Sequence, residues 1–224
     1  MLELTKFTRS AMEQLPLDIS PAATPSFDNF VAGANAELLA RLRELAAGTL
    51  REAVIYLWGE AGSGRTHLLR AAHRVNPHFV IADDVERLEP EAQQALFTAI
   101  NAAREGKGAV LAAGNAPPAQ LALREDLRTR LAWGLVYQVK PLSDTQKAAQ
   151  MRTEAGRRGL QLTEEVVGYL LTHLPRDLGS LHRVLDVLDR YSLARQRPLT
   201  LHLVREALAA AHESAELPRQ IRTP

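Results

Sequence analysis

Short apolar runs are spread through the first two thirds of the chain. Four of them are rich in β-branched or small apolar residues and are typical of strands in a parallel sheet: 53–58 (AVIYLW), 78–84 (HFVIADD), 108–115 (GAVLAAGN) and 134–142 (GLVYQVKPL). The composition of the first two indicates burial within the sheet. Before the first run, helical periodicity predicts a helix over about 35–47; between later runs it predicts helices over THLLRAAHRV and over EPEAQQALFTAINAAREG, which Gly106 ends. This alternation predicts a doubly wound α/β fold that binds ligands at the carboxyl ends of its strands.

After Pro141 the pattern contains helices only. Ser143 with Gln146 forms a capping-box pair, Thr163 caps a second helix, LGSLHRVLDVLDRYSLA forms a third, and Thr200 caps a fourth that ends near Ala211. We therefore predict four parts: an extended tail (1–32), an α/β domain (33–142), a helical subdomain (143–212) and a frayed polar tail (213–224).

Composition narrows the functional classes. The 224 residues are 46% hydrophobic and 24% charged, without an apolar run long enough for a membrane span or a secretion signal, so we expect a globular cytoplasmic protein without a membrane partner. The absence of cysteine excludes disulfides, thiolate zinc sites and cysteine nucleophiles. A net charge of +1 gives no general electrostatic reason to bind nucleic acid. The seven histidines include no H-E-x-x-H motif.

The stretch GEAGSGRTHL differs from a phosphate-binding loop by one residue, because Arg65 replaces the usual lysine. Glycines followed by a helix N-terminus can turn backbone N–H groups toward phosphate oxygens, although a glycine-rich turn without a ligand has the same composition. Arginine keeps the charge but is longer and planar, so diphosphate binding is expected to survive better than placement of a γ-phosphate. The candidate nucleotide-binding residues are Gly59, Gly62, Ser63, Gly64, Arg65, Thr66 and His67.

Acidic and amide side chains follow the second and third predicted strands. Thr66 and Asp83 are candidate Mg²⁺ ligands, and Asp84 is a candidate for positioning the attacking water. The alternative is that the two aspartates only cap the following helix. Asn115 ends the next strand, where its amide could orient water or phosphate, or be a plain loop residue.

The segments GEAGSGRT, FVIADD, LAAGN, LRTRLAWGLV and LPRDLGSLHRVL resemble the AAA+ module of the bacterial replication initiator DnaA and, more closely, Hda, the DnaA-related inactivator. The resemblance covers about residues 22–211 and implies an AAA+ parallel-sheet domain with a C-terminal all-helical lid. It also implies that Arg130 is an arginine finger acting in trans and that Arg176 senses the nucleotide from the lid. From the residues alone, both arginines could equally be solvated surface charges.

Three departures from the initiator pattern bear on function. Because only 13 residues follow Ala211, we expect no DNA-binding helix-turn-helix there and hence do not expect a full initiator. The interval between the glycine loop and HFVIADD is too short for the extra edge strand and helix of most AAA+ sheets. Arg65 is shared with Hda-like proteins and favours a nucleotide-holding scaffold over a fast ATPase.

The N-terminal segment QLPLDI resembles the short peptide with which bacterial proteins bind the replication sliding clamp. Gln14 would donate and accept amide hydrogen bonds, while Leu15, Leu17 and Ile19 would enter apolar subsites. An apolar segment resting on its own domain is the alternative interpretation.

Together these features predict a negative regulator of replication initiation. The resemblance implies that it binds ADP or ATP, with or without Mg²⁺. It also implies that its partners are DnaA and the sliding clamp (the β subunit of DNA polymerase III), and that it contacts DNA indirectly through the clamp. It would stimulate hydrolysis of ATP on DnaA while having weak or no ATPase of its own. An autonomous AAA+ ATPase or remodeller and a non-catalytic adaptor remain alternatives, and self-association stays open.

Overall fold

The computed structural model describes residues 24–174, 178–195 and 197–213. Within these ranges, four parallel strands form one sheet in the order β2–β3–β1–β4: β1 (Val54–Trp58), β2 (Val80–Ala82), β3 (Val110–Gly114) and β4 (Leu135–Gln138). Helices α1 (Ala36–Ala46), α2 (Arg65–Val75), α3 (Pro90–Arg104) and α4 (Glu125–Leu131) belong to the same layered unit. The predicted parallel α/β architecture is confirmed.

The sheet separates two apolar cores. Along β1, Ile55 and Leu57 point into a core shared with α1 and α2, while Val54 and Tyr56 point into a core shared with α3 and α4. Because successive side chains of a strand face opposite sides of a sheet, an unbroken apolar run needs helices on both faces. The prediction that the first strand is buried on both faces is confirmed.

The second strand differs from its prediction. Val80 and Ile81 of β2 are 44% and 36% exposed, so this strand is not buried as its composition indicated. The reason is its position, since β2 pairs with β3 and with no other strand of the described residues. The absence of a further edge strand, predicted from the short preceding interval, explains why apolar side chains suited to an interior lie at the edge.

Beyond β4 the described residues form helices only, as predicted: α5 (Asp144–Arg157), α6 (Glu164–His173), α7 (Leu178–Arg195) and α8 (Leu201–Glu213). Ser143 and Gln146 form the predicted capping box at α5, and the Thr163 hydroxyl accepts a hydrogen bond from the Val166 N–H at the start of α6. These helices enclose a third core with Met151 and Leu170 among its buried members. No helix in the described ranges has the length and apolarity needed to cross a bilayer.

The segment before α1 packs more closely than an extended tail. Phe27 is only 7% exposed and Phe30 packs beside it on the core shared by α1 and α2. The buried Asn35 then joins this segment to the chain just after β4: its amide donates to the Lys140 carbonyl at 2.8 Å and accepts from the Lys140 N–H at 2.8 Å. Two aromatic side chains three residues apart therefore hold the chain against the layer that carries the glycine loop.

Candidate nucleotide site and arginine face

The glycine loop connects the carboxyl end of β1 to the first turn of α2. Gly62 and Gly64 have φ values of 77° and 105°, which favour glycine, and no side chain caps the N-terminus of α2. Gly59 lies so close to the end of β4 that a Cβ atom there would be 2.6 Å from the Val139 carbonyl oxygen. The loop therefore has the backbone shape that lets successive N–H groups and a helix N-terminus face an anion.

Residues predicted to share this site lie together at the carboxyl edge of the sheet. The Thr66 hydroxyl donates to Asp83 Oδ2 at 2.5 Å, and Asp83 Oδ1 accepts from the Asp84 N–H at 3.0 Å. Asp84 has a φ of 44°, and its Oδ1 lies 3.6 Å from Nη2 of Arg65. The four side chains form one group of two acids, a hydroxyl and a guanidinium beside the glycine loop.

Two buried polar atoms of the loop lack hydrogen-bond partners. They are the Ser63 hydroxyl and Nη1 of Arg65, whose side chain is only 11% exposed. Buried polar atoms in folded proteins are nearly always paired, so two unpaired donors beside a glycine loop need an explanation. Phosphate oxygens of a nucleotide fit them, because both atoms can donate and one belongs to a cation.

The Phe30 ring faces the glycine loop beside the predicted His67, and Phe30 itself was not predicted as part of the site. A Cβ atom on Gly64 would lie 2.8 Å from Cε2 of Phe30, and the ring centroid of Phe30 is 5.6 Å from that of His67. His67 Nε2 lies 2.9 Å from the Ser26 carbonyl oxygen, within hydrogen-bond distance. The segment before α1 therefore narrows the loop entrance, and His67 holds that segment. The sequence carried the signal in the paired phenylalanines of SFDNF.

His182 lies in α7, within the helical subdomain. Its Nε2 atom is buried without a hydrogen-bond partner. Burial lowers the pKa of His182, the nearby Glu154 carboxylate opposes that shift, and His67 is close enough to add a small lowering effect. The neutral imidazole is therefore favoured at His182. Nothing in the sequence singled out His182. The predicted lid residue Arg176 and the predicted clamp-binding residues lie outside the described residues; the latter are Gln14, Leu15, Leu17 and Ile19.

Asn115 follows β3 at the same edge of the sheet. Its backbone N–H donates to Glu86 Oε2 at 3.3 Å, and its side chain is exposed. The buried Tyr56 donates to the Ala116 carbonyl at 2.7 Å, and burial, followed by the Glu86 carboxylate, raises the pKa of its phenol. Glu86 is thus a further acid at this edge, which sequence reasoning missed because the residue lies within a short helical turn. The described residues contain no cluster of three acidic, histidine or cysteine side chains that could hold a metal.

A separate group of side chains surrounds Arg130, in the layer formed by α3 and α4. The Arg130 Cζ atom lies 3.8 Å from the Trp133 ring centroid and 5.0 Å from that of Phe97. Arg104 also stacks on Trp133, with its Cζ atom 4.0 Å from the ring centroid. Within the described part of the chain, neither Arg104 nor Arg130 has an acidic partner. We call Arg104, Trp133, Arg130 and Phe97 the arginine face.

An open depression of about 510 Å³ adjoins Arg130. Its lining comprises Arg124, Glu125, Asp126, Thr129, Arg130 and Trp133. Arg124 binds Asp126 through two nitrogen–oxygen contacts, at 3.1 and 2.5 Å, and this guanidinium holds the pKa of the Asp126 carboxyl below its ordinary value. Arg124 is therefore neutralised within the chain, whereas Arg130 is not.

Comparisons with known proteins agree with this architecture. Residues 144–208 match the family description "Hda, lid domain". An uncharacterized protein of Haemophilus influenzae is 32% identical over 228 residues, covering 88% of this chain and 98% of its own length. Domain III of the replication initiation protein DnaA from Thermotoga maritima superposes with a TM-score of 0.70 at 19% identity, covering 85% of this chain and 98% of that one.

The chain belongs to the Hda/DnaA-related AAA+ family. A second solved member of this group, AMPPCP-bound DnaA from Aquifex aeolicus, has a TM-score of 0.65 at 17% identity and covers 87% of this chain and 70% of its own. The shared lid and AAA+ fold identify the chain as a DnaA-related regulator. The predicted family and fold are thereby confirmed.

Proposed function

We propose that this protein switches off the replication initiator DnaA by supplying Arg130 in trans to ATP bound there. The observation that carries the proposal is the state of the Arg130 guanidinium. It is stacked on an aromatic ring and has no acidic partner in the described residues, so its N–H donors stay available to an external anion. Fixed positive charge placed on a transferring phosphoryl group from outside accelerates phosphoryl transfer by roughly 10³ to 10⁵.

The nucleotide of this chain itself has a structural task in the proposal. Ser63, Arg65 and the turned backbone of Gly62 and Gly64 would hold the phosphates of ADP, and ATP would bind the same atoms. The DnaA of Aquifex aeolicus in the comparison binds AMPPCP with the same fold. A bound nucleotide would join the loop to the lid, where the family resemblance places Arg176.

Weak hydrolysis by this chain follows from the same contacts. The Thr66–Asp83 pair suits Mg²⁺, which usually takes one or two protein oxygens and completes its shell with phosphates and water, and which would neutralise phosphate charge when bound. Asp84 would position water, with Asn115 nearby, but its Oδ1 lies 3.6 Å from Arg65 Nη2. An acid occupied by the loop arginine is poorly placed to direct an attack, so the chain's own site holds a nucleotide and turns it over slowly.

Localisation on the sliding clamp is the third element of the proposal. QLPLDI has the anchoring amide of Gln14 and the apolar residues Leu15, Leu17 and Ile19 in the order that a clamp-binding peptide requires. Tethering raises the effective concentration of a second binding event without adding contacts. Bound to clamps that encircle DNA, the protein would meet DnaA only after replication has begun.

The test measures conversion of radiolabelled ATP, already bound to DnaA, into ADP in the presence of clamp-loaded DNA. The wild-type protein is expected to accelerate conversion, and Arg130→Ala to reduce that acceleration by a factor of about 10³ or more. Gln14→Ala is expected to lose the dependence on the clamp.

Arg128→Ala is the matched control, because Arg128 carries the same charge on the same helix and stacks on no ring in the described residues. This control should retain activity. If Arg130→Ala accelerates conversion as well as the wild type while folded and nucleotide-bound, trans-hydrolysis is excluded and a non-catalytic adaptor is the better description. Rapid turnover of ATP by the isolated protein would instead favour an autonomous ATPase.

A further inference from the structure

Trp133 connects two guanidinium groups that come from different helices. Arg104 lies in the last turn of α3, Arg130 lies in the last turn of α4, and both stack on the Trp133 ring with Cζ-to-centroid distances of 4.0 and 3.8 Å. Phe97, two helical turns before Arg104 on α3, adds a second ring 5.0 Å from the Arg130 Cζ atom. Arg130 is thus held between aromatic side chains of two different segments.

The backbone fixes where the Trp133 ring can lie. Leu127 and Leu131 of α4 are completely buried in the core beneath the helix, so α4 has little freedom to move. The Trp133 N–H donates to the Arg130 carbonyl at 3.2 Å, which turns the chain back at the end of α4 and brings the ring beside the Arg130 side chain. Helix end, ring and guanidinium therefore have a defined mutual geometry.

Stacking and ion pairing have different consequences for an arginine. A carboxylate partner binds the N–H groups at the edge of the guanidinium plane, whereas an aromatic ring contacts the face of that plane. A stacked arginine is thus restrained in position and keeps its donors unpaired. This combination suits a group that must meet phosphate oxygens on another protein.

We propose that Trp133 is the positioning residue of the Arg130 finger and that Arg104 stabilises the ring in the orientation that this task requires. The inference rests on the proposed function and deepens it. Trp133 acts through Arg130 and needs no contact with the nucleotide. Its side chain is 44% exposed, so Trp133 contributes less to folding stability than the buried leucines beneath it.

The experiment compares Trp133→Ala with Trp133→Phe in single-turnover conversion of DnaA-bound ATP. Varying the concentration of this protein separates the maximal rate from the concentration that gives half of it. Trp133→Ala is expected to lower the maximal rate by about 100-fold, the effect of misplacing a catalytic group by roughly 1 Å, while the half-saturating concentration changes little. Trp133→Phe keeps an aromatic face and is expected to recover most of the rate. Arg104→Gln is expected to cause a smaller loss of the same kind.

Arg130→Ala measured alongside separates failure of this inference from failure of the proposed function. If Arg130→Ala is inactive but Trp133→Ala reaches the wild-type maximal rate, the finger stands and the positioning role is wrong. If Trp133→Ala changes only the half-saturating concentration, Trp133 is a docking contact and the inference is again wrong. If Arg130→Ala is fully active, both the positioning role of Trp133 and the proposed function are wrong.

A double variant and a folding control complete the test. In an Arg130→Ala background, Trp133→Ala should cause no further loss, because a positioning residue has no effect without the group that it positions. An additional loss in that background would contradict the inference. Thermal melting and ADP affinity of each variant should match the wild type, since the arginine face lies in a different layer from the glycine loop.

Discussion

Two arginines of this chain, Arg65 and Arg130, are held in opposite ways. Arg65 lies in the first turn of α2, is 11% exposed and reaches toward Asp84 at 3.6 Å. Arg130 lies in the last turn of α4, is stacked on Trp133 at 3.8 Å and forms no ion pair with an acid of the described residues. One guanidinium is directed toward an acid beside the glycine loop, whereas the other is restrained on a surface with its donors unpaired.

This contrast shows that the partner of an arginine, and not its charge alone, indicates its task. An acid beside a guanidinium compensates its charge within the chain and leaves less for an external anion. A ring restrains it without compensating its charge. We therefore expect changes at the glycine loop to alter nucleotide retention and folding stability, and changes at the arginine face to alter activity on the partner.

The largest difference is expected from the same conservative change at both arginines. Arg130→Lys keeps one positive charge but loses the planar fork and the stacking on Trp133, so acceleration of ATP conversion on DnaA should fall by about 100-fold. Arg65→Lys restores the residue usual in phosphate-binding loops, so ADP affinity should stay within about threefold. Single-turnover conversion and equilibrium titration with ADP are the two measurements.

Equal losses of conversion in the two lysine variants would remove the distinction between the sites. So would a large loss of ADP affinity in Arg130→Lys, because no hydrogen bond or ion pair in the described residues joins Arg130 to the glycine loop. Arg128→Lys is the control for charge-preserving replacement elsewhere on α4.

Sequence reasoning predicted the parallel sheet, the glycine loop and the helical lid because these depend on local signals. The apolar run of β1 and the Ser143 capping box each depend on residues that are close together in the sequence. The exposure of Val80 was not predicted, since composition reports that a strand is apolar and not which neighbour it has. The stacking of Arg104 on Trp133 was also missed, because 29 positions separate them and only the packing of α3 on α4 brings them together.

A medium effect is expected at the loop glycine that faces Phe30. Gly64→Ala places a Cβ atom 2.8 Å from Phe30 Cε2 at a φ of 105°, whereas Gly48→Ala, at a φ of 71°, meets no atom within 4 Å. Backbone strain alone costs about 1–2 kcal/mol, and overlap with a packed ring adds about 1 kcal/mol or more. Gly64→Ala should therefore lower the free energy of unfolding by about 2–3 kcal/mol, and Gly48→Ala by about half as much.

Urea unfolding of the two alanine variants, and of each in a Phe30→Ala background, measures these costs. Removing the Phe30 ring should bring the cost of Gly64→Ala closer to that of Gly48→Ala, because only the backbone strain remains. An unchanged difference would show that Phe30 does not shape the glycine loop. In each of these variants that remains folded, the rate of ATP conversion on DnaA should stay near that of the wild type, although the free energy of unfolding falls.

The smallest effect is expected from Asp84→Asn, which tests whether Asp84 or a bound nucleotide holds the Arg65 side chain in place. Asparagine tolerates the φ of 44° at this position, so the change removes charge without adding backbone strain. The pair is separated by 3.6 Å and Asp84 is 45% exposed, so solvent screening limits the stability lost without nucleotide to about 0.5–1 kcal/mol. With saturating ADP the loss should vanish, because phosphate oxygens then compensate the charge of the Arg65 guanidinium. Urea unfolding with and without ADP measures both values.

Asp28→Asn, which removes a more exposed acid paired with Arg43, is the control that ADP should not affect. A loss for Asp84→Asn that persists in full with ADP would mean that the acid, and not the nucleotide, holds Arg65 in place.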